Sequence, residues 1–295
     1  VNRSVLVLGL IALVSCAPKN SNNVELAGKP SIINGQEVKE GASIAASIVS
    51  LYDTKEQYIC TGTLIAPNIV LTAAHCMPSK ASNMKVVFAN NVDDMMSNRE
   101  QDVLQAHVLQ VTSFKANDKY NPNDEETEFN RNDIALVRFK GALPEGYKPA
   151  TFLGGTNLLK RGMMVTVAGY GVDDVQATQI DPRKYKNLDQ AIEDGEVFCD
   201  DNNRNCMKVE MSGDGLLRQG QAPISSLQET EVRLDERKSG TCSGDSGGPA
   251  FIQINGQYLL WGVTSRGSLL CNSTGVYTNA LEFKDWINQT IPTLF

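Results

Sequence analysis

Histidine is scarce in this chain: two in 295 residues. Any reaction that needs an imidazole base has only His75 and His107 to draw on. Long apolar runs are also lacking. Val5–Val14, about ten residues, is the single stretch apolar enough for a membrane, against the ~20 that a spanning helix needs. A polytopic membrane protein is thereby excluded. There is no basic excess either: 34 acidic against 27 basic residues give a net charge of -7, which counts against a nucleic-acid partner. No internal repeat is visible. What is present, 41% hydrophobic and 21% charged residues, is the composition of a folded soluble protein and not of a disordered one.

The first residues read VNRSVLVLGLIALVSC. Arg3 supplies a positive n-region and Val5–Val14 an apolar h-region of signal-peptide length. The Val at position 1 fits a non-AUG start and hints at a bacterial source. Leu13-Val14-Ser15-Cys16 resembles a bacterial lipobox, in which the cysteine is lipidated and becomes the new N-terminus. A plain secretory signal that contains a cysteine is the alternative. Residues 1–15 are thus expected to be a signal peptide. Residues 16–31 are expected to be a polar tether, which has little to bury. No Asp follows Cys16, which favours the outer membrane. Export implies an oxidising compartment. Removing Cys16 from the seven cysteines leaves Cys60, Cys76, Cys199, Cys206, Cys242 and Cys271, an even set.

From Ile32 onward the pattern is one of short strands separated by turn residues. Strands are expected at Ser43–Leu51, Thr61–Ile65, Ile69–Thr72, Lys85–Phe88, Val103–Val111, Ile134–Phe139, Met164–Ala168, Ala250–Ile254 and Tyr258–Thr264. Helical periodicity is confined to the end, where Leu281, Phe283, Trp286 and Ile287 form one apolar face. Gly171 to Gly220 reads as long polar loops. The expectation is an all-β domain over residues 32–295 with a C-terminal helix.

Gly244-Asp245-Ser246-Gly247-Gly248-Pro249 is the sharpest chemical signal. A serine flanked by glycines has little steric cover, and glycines let backbone N–H groups face an attacked carbonyl. A serine hydroxyl needs a base. His75, in Leu71-Thr72-Ala73-Ala74-His75-Cys76, ends an apolar run, whereas His107 reads as a structural strand residue. Asp133, at the start of an apolar strand, is the candidate to orient the imidazole.

The order His75, Asp133, Ser246, with those flanks, resembles the chymotrypsin-like (trypsin fold) serine peptidase family. Thr61-Gly62-Thr63-Leu64-Ile65, Gly275-Val276-Tyr277-Thr278 and Trp286-Ile287 match further family segments, and the likeness runs from Ile32 to Ile291. It implies two six-stranded antiparallel β-barrels with a site between them. Ser246 is then the nucleophile, His75 the base, Asp133 its partner, and the N–H groups of Gly244 and Ser246 the oxyanion hole. It also implies disulfides Cys60–Cys76 and Cys242–Cys271. It implies no cofactor and no metal, and protein or peptide substrates for a monomeric enzyme.

The substrate pocket implied by the resemblance is formed by Gly240, Thr241, Ser265, Arg266, Gly267 and Gly275. Gly240 stands where trypsin-like members carry an Asp, so an open slot with no acid is expected, suited to large apolar side chains. Arg266 replaces a usual aromatic residue. Cys199 and Cys206 match no common family disulfide and read as a local clip; zinc is the alternative. Asp124-Glu125-Glu126-Thr127-Glu128 reads as a solvated loop, with a calcium site as the alternative.

Ser31-Ile32-Ile33-Asn34-Gly35 resembles the family's activation site. There a cut frees the Ile32 ammonium, which pairs with Asp245. The implied protein is a serine endopeptidase made as a zymogen, held to a membrane only by lipid on Cys16 and released by that cut. The competing reading is a catalytically silent lipoprotein of the same fold that acts as a binding scaffold. A hydrolase with Gly-x-Ser-x-Gly and the order Ser, acid, His does not fit the order here.

Overall fold

Short runs of β-branched and aromatic residues build the chain into two closed rings of strands. The computed structural model describes residues 32–123, 131–200, 202 and 204–295. A short strand, β1 (Gln36–Glu37), precedes the first ring. That ring contains β2 (Ile48–Asp53), β3 (Ile59–Ala66), β4 (Ile69–Thr72), β5 (Met84–Val87), β6 (Val108–Ala116) and β7 (Ala135–Lys140). The strands close in the order β2-β3-β4-β7-β6-β5, every pair antiparallel. Closure leaves no unpaired strand edge.

The chain crosses to the second ring through β8 (Thr151–Phe152) and enters it at β9 (Met164–Gly169). An excursion follows, containing β10 (Asp174–Ile180), β11 (Val197–Cys199) and β12 (Cys206–Ser212). The ring is completed by β13 (Arg218–Leu227), β14 (Glu231–Asp235), β15 (Pro249–Ile254), β16 (Gln257–Gly267) and β17 (Thr274–Asn279). It closes as β9-β13-β14-β17-β16-β15, with β1 added to β13 and β8 added parallel to β16. The fold is therefore the expected pair of six-stranded antiparallel barrels.

Each barrel has its own apolar core. Ile48, Leu51, Leu64, Leu71, Phe88 and Phe139 fill the first, with Phe88 edge-on to Phe139 at 5.5 Å. Val165, Val167, Ile224, Leu234, Trp261 and Tyr277 fill the second. Each such side chain contributes roughly 1.5–3 kcal/mol on burial. The C-terminal helix (Lys284–Thr290) follows a 3₁₀ turn (Ala280–Phe283) and buries Leu281, Phe283 and Ile287.

Two expectations need correction. Val103–Val111 is not one strand: Gln101–His107 is helical and the strand begins at Val108. His107 thus ends a helix, its Nδ1 3.0 Å from Val103 O. The polar span from Gly171 to Gly220 is not merely loops. It holds a small sheet in the order β10-β12-β11, whose alternating polar face concealed it. Cys199 and Cys206 are register partners there and form a disulfide. Cys16, Ser31 and the acidic run from Asp124 to Glu128 lie outside the described residues.

Candidate active site

His75 sits in a 3₁₀ turn (Ala74–Cys76) directly after β4. Cys76 is bonded to Cys60 on β3, and Tyr58 Oη donates to Cys76 O at 2.9 Å. The imidazole therefore stands on a pinned backbone while its side chain stays 34% exposed. Cys60, His75 and Cys76 lie close enough to suggest a metal site. Their two sulfurs are bonded to each other, however, and offer no thiolate.

Asp133 is buried just before β7. Its Oδ2 accepts from His75 Nδ1 at 2.8 Å, and its Oδ1 accepts from the His75 backbone N–H at 3.0 Å. Ser265 Oγ also donates to Oδ2, at 2.7 Å. Burial pushes this carboxyl upward, but the hydrogen bonds and charge of His75 and the Ser265 hydroxyl outweigh it and hold it below its ordinary value. The group is thus an ionised acceptor, which assigns the Nδ1 proton to His75.

Ser265 was expected only as a pocket wall. A β-bulge between Thr264 and Arg266, where β16 pairs with β17, re-aims it onto Asp133. Arg266 is also committed: Nη1 and Nη2 bind Glu231 Oε1 and Oε2 at 2.9 and 3.0 Å. Glu231 is 1% exposed, so this is a buried bidentate pair.

Ser246 lies on a turn whose backbone is tied to both barrels. Its carbonyl accepts from Thr61 N–H at 2.8 Å, and Gly247 N–H donates to Thr264 O at 2.8 Å. Gly247 has φ +81°, and a Cβ there would fall 1.9 Å from Thr72 Oγ1 and 3.0 Å from Ala73 N. Only glycine lets the Ser246 turn approach the strand that carries His75. Gly244, at φ +95°, is equally constrained against Gly171. Among the described residues the N–H groups of Gly244 and Ser246 have no acceptor. The Ser246 hydroxyl likewise makes no hydrogen bond among them. The structure therefore joins His75 to Asp133 directly and sets Ser246 on the adjoining turn.

Asp245 is fully buried. Its Oδ1 accepts from Gly171 N–H at 2.8 Å and its Oδ2 from Cys242 N–H at 2.9 Å. Burial, partly offset by those amides and by the charge of Arg218, raises its pKa to about 7. Ile32 is also fully buried. Its Cγ2 packs where a Cβ on Gly220 would come within 3.0 Å, and Ile33 O accepts from Gly240 N–H. Ile32 and Asp245 are not bonded to each other in this structure.

Gly240, Thr241, Gly267 and Gly275 come together beside this turn, with Cys242 bonded to Cys271 and Gly267 opposite Gly275. The expected absence of an acid is corrected here. Glu236, 1% exposed, lies between Gly240 and Gly275. A Cβ on Gly275 would stand 2.4 Å from its carboxylate carbon. Tyr277 Oη and Thr241 Oγ1 donate to Oε1 at 2.5 and 3.1 Å. Burial, only partly offset by these donors, raises its pKa to about 7. The sequence held a signal: Glu236 continues the inward face of Val232 and Leu234 at period two.

An imidazole held by a buried carboxylate, beside a glycine-flanked serine between two antiparallel barrels, is an arrangement suited to nucleophilic hydrolysis. The family model for Trypsin matches residues 32–287. Brachyurin of Leptuca pugilator is 30% identical over 241 residues, which covers 79% of this chain and 87% of brachyurin. CLIP domain-containing serine protease B4 of Anopheles gambiae is 28% identical over 245 residues, 79% of this chain and 62% of the relative. Urokinase-type plasminogen activator of Gallus gallus is 28% identical over 276 residues, 88% and 56% respectively. The chain spans less than two thirds of the length of those last two. The structure of mouse neuropsin, described as a serine protease expressed in the limbic system, aligns with TM-score 0.61 at 22% identity. The alignment covers 87% of this chain and 98% of neuropsin, a likeness of fold. The chain belongs to the trypsin family of serine peptidases.

Proposed function

We propose that this chain is a serine endopeptidase that cleaves peptide bonds through an acyl-enzyme on Ser246. The observation that carries the reading is the two-point hold of Asp133 on His75, beside a serine turn that glycine brings against Thr72 and Ala73. His75 Nε2 takes the Ser246 proton as Oγ attacks the scissile carbonyl. The carbonyl electron pair moves to oxygen, where the N–H groups of Gly244 and Ser246 receive it. One such donor is worth roughly 3–4 kcal/mol in the transition state. His75 then returns the proton to the leaving amine, and water repeats the sequence to release the acid. The test is a mixed peptide library read by mass spectrometry. Cleavage by the activated enzyme and none by Ser246→Ala is expected. No cleavage by either would favour the silent scaffold.

The enzyme is made as a zymogen cut at Ser31–Ile32. The buried Ile32 side chain, the space left by Gly220 and a buried Asp245 whose hydrogen bonds among the described residues come from amides support a seat for a freed ammonium. Residues 1–15 export the chain and residues 16–31 tether it through lipid on Cys16, so the cut releases residues 32–295 as a soluble monomer. Three disulfides support an oxidising, extracytoplasmic setting.

A further inference from the structure

On the outside of the second barrel, three neighbouring strands bring uncharged polar side chains into one row. Gln36 on β1 is the register partner of Gln219 on β13. Gln221, two residues further along β13, is the partner of Thr166 on β9. Register partners share a face, and so do residues two apart on a strand. The alternate residues of β13, Arg218, Gly220 and Ala222, are buried, so the row looks away from the barrel core. Together with Ser239 and Tyr258 it lines a cavity of about 410 Å³, within the size range of small-ligand sites. Among the described residues the wall holds no acidic, basic or aliphatic side chain. Its hydrogen-bonding groups are largely unspent. Thr166 is 6% exposed, yet its hydroxyl makes no hydrogen bond among the described residues. Ser239 is buried too, and its Oγ likewise has no partner among them. The three glutamine amides make no side-chain hydrogen bond there either. A buried hydroxyl left unpaired costs stability, and a ligand that pairs it recovers that cost. Tyr258 is fixed edge-on to Phe251 at 5.8 Å, and Phe251 is the other register partner of Thr166, so this wall is held in place.

The wall sets three conditions on what it holds. The ligand carries no charge, since no opposite charge is there to pair it. It is not a lipid chain, since Tyr258 alone gives apolar surface of any size. It offers donors and acceptors at close spacing, because each amide presents a carbonyl acceptor and an NH₂ donor, and each hydroxyl serves as either. A sugar ring meets all three: adjacent hydroxyls match the two ends of an amide, and its C–H face packs on an aromatic ring. We propose that this cavity is a binding site for a neutral saccharide, held by the amides of Gln36, Gln219 and Gln221 and the hydroxyl of Thr166. Ser246, His75 and Asp133 take no part in it, so the proposal stands apart from the peptidase reading.

The test uses the full chain with Ser246→Ala, which prevents self-cleavage and leaves the cavity intact. Saturation-transfer NMR and calorimetry follow binding of maltose, lactose, cellobiose and N,N′-diacetylchitobiose. A neutral N-linked glycan released from a glycoprotein forms a second arm, which separates a free sugar from a glycan chain as the source. Saturable binding of at least one of these is expected, with a Kd on the order of 1 mM or tighter. Gln219→Ala/Gln221→Ala should weaken it by about tenfold or more, and Thr166→Val by about five- to tenfold. A sulfated heparin disaccharide should bind no more tightly than the neutral sugars. No saturable binding of any sugar, which would mean a cavity that holds water only, would overturn the proposal. So would sugar binding that both variants leave unchanged, or tighter binding of the heparin disaccharide. Binding of triglycine amide in place of the sugars, lost in the same variants, would assign the cavity to a peptide backbone and overturn it as well. If Thr166→Val does not fold, the glutamine pair, which lies at the surface, decides alone.

Discussion

Ser265 Oγ and Asp133 Oδ2 are 2.7 Å apart, and that oxygen is the one that holds His75 Nδ1. A residue expected to line a pocket thus supports the carboxylate that holds His75. Removing a hydrogen bond to a charged group typically costs about 1.5–3 kcal/mol. Ser265→Ala is therefore predicted to lower kcat by about tenfold or somewhat more, with the acid limb of the pH–rate profile displaced and KM little changed. Steady-state kinetics across pH would check this. A change in KM alone would assign Ser265 to substrate contact.

Asp133→Asn is predicted to remove activity more severely than Ser265→Ala, by about 10⁴-fold in kcat. An amide offers one acceptor where Asp133 now accepts from His75 at both oxygens, so the wrong tautomer of His75 is favoured. Circular dichroism should report a folded protein. Activity within a few fold of wild type would remove Asp133 from the site.

The proposed cut at Ser31–Ile32 predicts that the pH dependence of stability differs between precursor and cut enzyme. In the precursor, Asp245 and Glu236 have pKa values raised to about 7. Both hold protons where the unfolded chain, with carboxyls near 4, has released them. Precursor stability should fall as pH rises from about 4 to about 7 and then level off. A freed Ile32 ammonium would depress the Asp245 pKa and remove its share of that fall. Melting temperatures of uncut and cut Ser246→Ala across this range would decide. Identical pH profiles would contradict an Ile32–Asp245 pairing.

The disulfide Cys60–Cys76 closes the loop that carries His75. The double variant Cys60→Ala/Cys76→Ala is predicted to lose about 2–4 kcal/mol of stability. Its kcat should fall more than that of Cys199→Ala/Cys206→Ala, whose clip lies in the excursion sheet. Denaturant titration with kinetics on both variants measures this. Equal kcat losses would show that the clip beside His75 has no special part in placing it.

Much of the candidate site is proposed from sequence alone because its residues sit beside local markers. Ser246 lies among glycines, His75 ends an apolar strand, and Asp133 begins one. The supports were less legible because they act across strands. Ser265 depends on a bulge, and Arg266 on Glu231, distant in sequence. Glu236 follows a strand whose alternate charged residues, Glu231, Arg233 and Asp235, masked the inward row of Val232 and Leu234. β13 was concealed in a similar way: its inward positions include small residues, Gly220 and Ala222, and Pro223 reads as a breaker. Gln101–His107 fits either period over a short run, and tertiary context made it a helix.

The most direct test of the central claim is covalent labelling of the activated enzyme with a fluorophosphonate, mapped by peptide mass spectrometry. The prediction is stoichiometric phosphonylation of Ser246 Oγ in the folded protein, abolished by unfolding and reduced by orders of magnitude in His75→Ala. Absence of label on Ser246, or labelling that His75→Ala leaves unchanged, would contradict it.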